Sequence, residues 1–332
     1  MSQPYDQQRV SARGLLARVS PYVQIARPDH WFKNVFMLMG VLLGVLYRPE
    51  LFSLGMFGTI AWAVVAICLI ASANYVINEI LDAPTDRSHP EKRSRPIPSG
   101  QILLPVAYAE WILLAVAGIA MAAVVNLPFL VAGAMLLFMG LVYNVPPIRS
   151  KELPYVDVLS ESVNNPLRLA LGWFAVGHVA VPPMSLMLFF WMIGAFFMGI
   201  KRFAEYRSIA DPARAASYRG SFRHYNDDKL LISAFFYATA AALFLGIFII
   251  RYKLELILII PLVAGFFSWY LWVALKPNSA VQAPERLYRE RGLMAYLLLC
   301  LAAFLLLMAV EIPVLYFWFN VEPSRLPSLW EF

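Results

Sequence analysis

The chain has 332 residues, 61% of them hydrophobic and only 14% charged, with a formal net charge of +6 and a mean hydropathy of +0.65. Soluble domains carry about 25% charged residues, so the composition excludes an ordinary soluble enzyme. No soluble domain of any size remains once the apolar runs are set aside, and no nucleic-acid partner is expected. The two cysteines, Cys68 and Cys300, both lie inside apolar runs and read as small buried hydrophobes rather than a disulfide or metal site.

In chain order, residues 1–26 form a basic segment. Its start lacks the apolar core of a signal peptide. Arg9, Arg13 and Arg18 alternate with Leu15, Leu16 and Val19, the pattern of a surface helix on anionic lipid or of a disordered basic tail. Runs long enough to cross a bilayer need about 20 residues. They fall at Trp31–Tyr47, Leu51–Ile77, Ile102–Val125, Phe129–Tyr143, Val156–Val176, Met184–Gly199, Leu230–Ile250, Leu256–Leu275 and Leu293–Phe319, nine in all. The prediction is an all-α integral membrane protein with nine transmembrane helices, one domain over residues 1–332, whose active-site cavity opens at the cytoplasmic end.

With nine spans, the N-terminus shares a side with the loops after spans two, four, six and eight. That side carries nearly all the Lys and Arg, while the other has only Arg48, Arg251, Lys253 and Arg325. The positive-inside rule makes the rich side cytoplasmic and puts the C-terminus outside, in a multi-pass protein of a bacterial-type inner membrane. Acidic residues collect on the same side, which charge topology alone does not require. That end of the bundle is therefore the chemical end.

Several motifs stand there. Arg27-Pro28-Asp29-His30-Trp31-Phe32-Lys33-Asn34 enters span one. It reads as an interfacial anchor around Trp31, or as a place where Lys33 and Asn34 reach phosphate. After span two, Asn78, Asp82 and Asp86 recur at i, i+4 and i+8, a spacing that keeps them on one helical face. Pro84 disfavours helix at Ala83, so the helix is predicted to stop there, with Asp86 opening the loop 83–101. Two carboxylates and an amide oxygen would then converge, which suits a hard divalent cation completed by substrate phosphate. A solvated carboxylate pair at a helix end is the plainer reading. The loop that follows, rich in Pro, carries Lys92, Arg93 and Arg95. Arg forks donate bidentately to phosphate, and the same charges would also set topology. Tyr143 precedes a rigid Pro146-Pro147 turn followed by Arg149 and Lys151.

Span five carries Asp157, Glu161, Asn164, Asn165 and Arg168. Charges at membrane depth cost about 2.5–3.5 kcal/mol each on insertion scales, so they face a cavity or a partner. The stripe reads as the lining of a polar substrate cavity, or as internal pairing of Arg168 with Asp157 or Glu161. After span six, Lys201, Arg202 and Glu205 lead into a polar stretch, 202–229, predicted as a loop capping the site. Lys201 and Glu205 at i, i+4 suit a plain helix salt bridge, or a second half-site with Glu205 on a cation and the bases on phosphate. The four histidines do not cluster, and there is no Gly-rich nucleotide loop and no Ser/His/Asp set.

At Asn78-x-x-x-Asp82-x-x-x-Asp86 the chain resembles the UbiA superfamily of intramembrane prenyltransferases. Within it, three stretches resemble the decaprenyl-phosphate phosphoribosyltransferase branch: Arg27-Pro28-x-x-Trp31-x-Lys33-Asn34, the run from Asp86-Arg87 through Arg95-Pro96-Ile97, and Lys201-Arg202-x-x-Glu205. The chain departs from that branch at Glu79, where Asp is usual. Its Glu205 and Asp211 spacing differs from the Asp pairs of the aromatic prenyltransferases. The resemblance implies Mg²⁺-dependent transfer of 5-phosphoribosyl from phosphoribosyl pyrophosphate (PRPP) to a polyprenyl phosphate. It implies Asn78, Asp82, Asp86 and Glu205 as catalytic and metal residues. It also implies Lys33, Asn34, Lys92, Arg93, Arg95, Lys201 and Arg202 as substrate contacts, to which the turn after span four and the polar stripe of span five add Tyr143, Asp157, Glu161, Asn165 and Arg168. Prenyl transfer to an aromatic acceptor is the rival chemistry, and a membrane transporter is the rival from another class.

Overall fold

The structure, a computed structural model, describes residues 19–87, 92–209, 211–277, 279–282 and 284–322, and all regular elements among them are helical. They are α1 (residues 19–26), α2 (Val35–Tyr47), α3 (Leu54–Asp86), α4 (Leu104–Val125), α5 (Leu127–Asn144), α6 (Val156–Ser162), α7 (Asn164–Ala175), α8 (Met184–Ile209), α9 (Pro212–Tyr218), α10 (Asp227–Tyr252), α11 (Ile260–Leu275), α12 (Arg291–Ala309) and α13 (Pro313–Phe319). Eight stretches among the described residues are long and apolar enough to cross a membrane, the first running from Val19 to Tyr47. Most of the basic N-terminal segment, and His89, Pro90 and Glu91 of the basic loop, lie outside the described residues.

The helices differ from the expected spans in four places. α3 runs through Pro84 to Asp86 instead of stopping at Ala83. The proline removes only the bond to the Ile80 carbonyl, and the Arg87 amide still reaches Ala83 O at 3.2 Å, so the turn closes beyond it. The fifth span is broken at Val163 into α6 and α7. Pro166 cannot donate back to the Ser162 carbonyl, which loosens the ladder there. α8 continues to Ile209, so residues 202–209 of the expected loop are helix and α9 follows. Pairs from Glu205 to Lys201 and Arg202, one turn back, support that extension. Finally, α12 stops at Ala309 and Pro313 opens a separate α13. Buried Glu255 accepts from the Ile312 amide at 3.0 Å and the Tyr316 hydroxyl at 3.1 Å, which holds the short helix in its own position.

Two compact units divide the chain. One runs to Val35 and resumes over Leu54–Arg149; the other takes Phe36–Ser53 and everything from Ser150. In the first, α3 packs on α4 and α5. Val76, Ile80 and Ala83 of α3 bury Ile97, Ile102 and Ala107, so the chain after the basic loop is clamped to the end of α3. In the second, α8 packs on α10 around Phe196, Ile200, Tyr237, Tyr270 and Val273. α2 and α7 approach so closely that a Cβ at Gly40 would lie 1.9 Å from the Leu169 carbonyl oxygen, and one at Gly172 the same distance from that of Met37. Small residues at helix crossings are the usual device for close packing in lipid, where no hydrophobic force drives helices together.

Candidate active site

In the first unit the polar residues gather at the end of α3. Asp82 accepts from the Arg149 guanidinium at 2.9 Å and from Asn78 Nδ2 at 3.2 Å. Asn78 Nδ2 also donates to Asn144 Oδ1, and Asn144 donates on to the Gly140 carbonyl at 2.9 Å. The nitrogen of Asn78 thus faces two oxygen acceptors, Asp82 and Asn144, since only its N–H can pair with them. One turn on, Asp86 is 5% exposed and accepts from Arg95 at 2.8 Å, with Lys92 at 3.8 Å. Glu79, also buried, accepts from the Ile97 amide at 3.2 Å. It fixes the chain two residues beyond Arg95 and so sets where that guanidinium stands. Arg93 is exposed.

In the second unit a separate ionic cluster forms across α6, α8 and the segment after α9. Asp157 is fully buried. It accepts from Arg202 at 3.2 Å, Tyr225 at 2.7 Å and Ser221 at 3.2 Å, with Arg219 at 3.8 Å. Arg202 also donates to Glu205 at 2.8 Å, and Lys201 lies 3.7 Å from the same carboxylate. Burial, then the neighbouring Asp157, push the Tyr225 hydroxyl far above its ordinary range, so it stays a donor. Asp157, one of the two partners considered for Arg168, pairs with Arg202, since α6 is packed on α8. Asn165 rests against Gly194 of α8, and the buried Asn164 Oδ1 has no hydrogen-bond partner among the described residues. Glu161 and Arg168 are half-buried on the same broken element.

Other expected contacts go elsewhere. Asn34 is buried and donates to Cys68 Sγ at 3.3 Å, so it does not stand in an open mouth. Lys33 lies by His30 Nδ1 at 3.2 Å and over the Tyr75 ring. Trp31 donates to Ser72 Oγ at 3.0 Å as well as facing outward. Tyr143 is half-buried, one residue before Asn144. Arg149, Asn144, Arg219 and Tyr225 belong to the clusters but were not among the expected site residues. Arg149 has a local signal, as a cation just after the Pro146-Pro147 turn; it and Tyr155 are non-glycine residues at positive φ, 35° and 63°.

Lys92, Arg95 and Arg149 gather at Asp82 and Asp86, and Lys201, Arg202 and Arg219 at Asp157 and Glu205. Partly buried clusters of cations are a place for anions. Asp82 and Asp86, oxygen ligands one turn apart, fit a hard divalent cation in kind. Among the described residues no three His, Cys, Asp or Glu side chains gather. Such an ion would take its other ligands from phosphate and water, as Mg²⁺ commonly does.

The family model for the UbiA prenyltransferase family matches residues 34–288, a stretch that contains both clusters. The chain belongs to that family. As a UbiA-family transferase it is 29% identical over 230 residues to the decaprenyl-phosphate phosphoribosyltransferase of Mycolicibacterium smegmatis, a match covering 69% of this chain and 70% of that one. It is 32% identical over 192 residues to the enzyme so named in Corynebacterium glutamicum, covering 55% and 54%. The solved UbiA homologue from Archaeoglobus fulgidus bound to GPP and Mg²⁺ superposes with a TM-score of 0.65 at 18% identity, over 87% of this chain and all of that one. The fold is thus the UbiA fold.

Proposed function

We propose that this UbiA-family transferase moves a 5-phosphoribosyl group from PRPP to a polyprenyl phosphate, releasing pyrophosphate. The observation that carries the reading is the gathering of Lys92, Arg95 and Arg149 at Asp82 and Asp86, and of Lys201, Arg202 and Arg219 at Asp157 and Glu205, which suits a reaction whose partners bear several phosphates. The similarity to enzymes named for this transfer supports the choice of donor. A phosphate oxygen of the acceptor attacks C1 of the ribose while the C1–pyrophosphate bond breaks. The attacking oxygen is already anionic, so no general base is needed. Asp82 and Asp86 would hold Mg²⁺, which supplies neutralisation of charge building on the departing pyrophosphate. Arg95, Lys92 and Arg149 orient that pyrophosphate, and Arg202 and Lys201 bind phosphate at their own cluster.

The membrane arrangement goes with this reading. Taking α6 and α7 together as one further crossing makes nine, with the N-terminus and both clusters on the cytoplasmic side and the C-terminus outside. PRPP, a soluble metabolite, then meets the enzyme from the cytosol.

The test is an assay of the purified protein with Mg²⁺, PRPP labelled in the ribose and a polyprenyl phosphate, followed by extraction of the lipid phase. Label should enter the lipid and be lost, by about a hundredfold or more, in Asp82→Ala. An unlabelled lipid phase from folded protein, with prenyl transfer to an aromatic acceptor instead, would overturn the reading.

A further inference from the structure

The seam between α3 and α5, inside the first compact unit, is bridged by side-chain amides. Asn74 of α3 donates to the Leu136 carbonyl of α5 at 3.0 Å. One turn on, Asn78 Nδ2 donates to Asn144 Oδ1 and, at 3.2 Å, to Asp82 Oδ2. Asn144, the last residue of α5, is 3% exposed. Its Nδ2 donates back to the Gly140 carbonyl at 2.9 Å, and its own carbonyl accepts from Arg149 Nη1 at 3.4 Å. Arg149 Nη2 in turn reaches Asp82 Oδ1 at 2.9 Å.

Each oxygen of Asp82 is therefore held by a donor that also touches Asn144. A carboxylate held at both oxygens cannot turn about its Cβ–Cγ bond without breaking one of the two bonds. The Asn144 side chain secures the Asn78 end. It must accept from Asn78 and donate to Gly140 at once. An amide has one group for each task, whereas a carboxylate only accepts and an alkyl group does neither. Gly140 leaves the room for this: a Cβ there would lie 2.0 Å from Asn74 Oδ1. The Asn144 oxygen is turned to the Asn78 amide, so its part is to hold another residue and not to touch a cation itself. Groups that hold metal ligands from behind matter nearly as much as the ligands, and losing one costs about 10–100-fold in metal affinity.

We propose that Asn144 is a positioning residue: through Asn78 it fixes the orientation of Asp82 for a divalent cation. The inference rests on the assignment of Mg²⁺ to Asp82 and Asp86 above, and not on the identity of the sugar donor. It is tested by metal binding rather than turnover. Mn²⁺ alone is titrated into the full chain in detergent, and loss of its free-ion signal is followed by electron paramagnetic resonance. The site is the Mn²⁺ bound by the unchanged chain and lost in Asp82→Ala. Asn144→Ala should weaken that binding about tenfold. Asn74→Ala is the contrast on the same seam. The Asn74 nitrogen goes to Leu136, and its oxygen has no hydrogen-bond partner among the described residues. That variant should lower the unfolding temperature and leave Mn²⁺ affinity unchanged. Equal affinity in the two variants, both shifted or both unshifted, overturns the proposal. Asn144→Leu, close to Asn in size, should show the same weakening if the Ala variant does not fold. Failure of both to fold would make Asn144 a purely structural residue and overturn it. Adding Asn78→Ala to Asn144→Ala should weaken binding by clearly less than the product of the single effects, because the two act along one chain of bonds. A full product overturns the route through Asn78. No Mn²⁺ binding, or binding that Asp82→Ala leaves intact, overturns the metal assignment and the positioning role with it. Weakened binding in Asn144→Ala, from a chain that transfers no phosphoribosyl, would overturn the reaction and leave the positioning role standing.

Discussion

Asp157 and Arg202 form a charge pair with side-chain exposures of 0% and 3%. Burying two ions costs several kcal/mol each unless the geometry is complete, and here it is completed by Tyr225, Ser221 and Glu205. Arg202→Met should therefore cost about 3–5 kcal/mol, since it strands Asp157, and adding Asp157→Asn should restore part of the loss. Detergent-resistant unfolding measures both, and an unaltered single variant would show that the pair does not carry the local fold. Glu79 gives a second prediction. Glu79→Ala leaves the buried Ile97 amide unpaired, at about 1–3 kcal/mol, and frees the segment that places Arg95. Glu79→Gln keeps an acceptor, so it should recover both stability and the KM for PRPP. If Gln behaves like Ala, the carboxylate charge rather than the loop anchor is what matters. These residues could be picked from the sequence because charges are rare in apolar chain. Their partners could not, because Arg149 is 67 positions from Asp82 and Tyr225 is 68 from Asp157.

Among the elements, the long helices are as the hydropathy predicts, and their ends are not. Pro84 marks a stop in most helices, yet α3 absorbs it, because one lost bond near a terminus is small against the rest of a 33-residue helix. Pro166 has a larger effect, where it falls in a short, polar, loosely bonded stretch. Close packing is the other thing the elements add. Gly172→Ala would put a methyl group 1.9 Å from the Met37 carbonyl oxygen, so the helices must part, at about 1–3 kcal/mol. Gly246→Ala, where nothing lies within 4 Å, should be neutral or stabilise by up to about 1 kcal/mol. Thermal unfolding of the two variants side by side checks this, and equal behaviour would remove the close-approach argument.

At the scale of the molecule, the proposed orientation has its own test. With the native Cys68 and Cys300 buried, cysteines are placed at exposed Ser99, after α3, and at exposed Glu50, between α2 and α3. A membrane-impermeant thiol reagent on intact cells should label Glu50→Cys and spare Ser99→Cys until the cells are opened. The opposite pattern would invert the topology and put both ionic clusters outside. Membrane residence, helical class and family motifs were all legible from the sequence by itself. The hydrophobic run, the exclusion of charge from hydrocarbon and the spacing on one helix face all act over a few turns of chain. Only the tertiary structure decided which cation holds which carboxylate, that Glu79 anchors a loop, that Asn34 turns inward, and that Asn144 ties α5 to α3 beside Asp82. Each of those is a contact between distant stretches, and a hydrogen bond or a close approach has no trace in local composition.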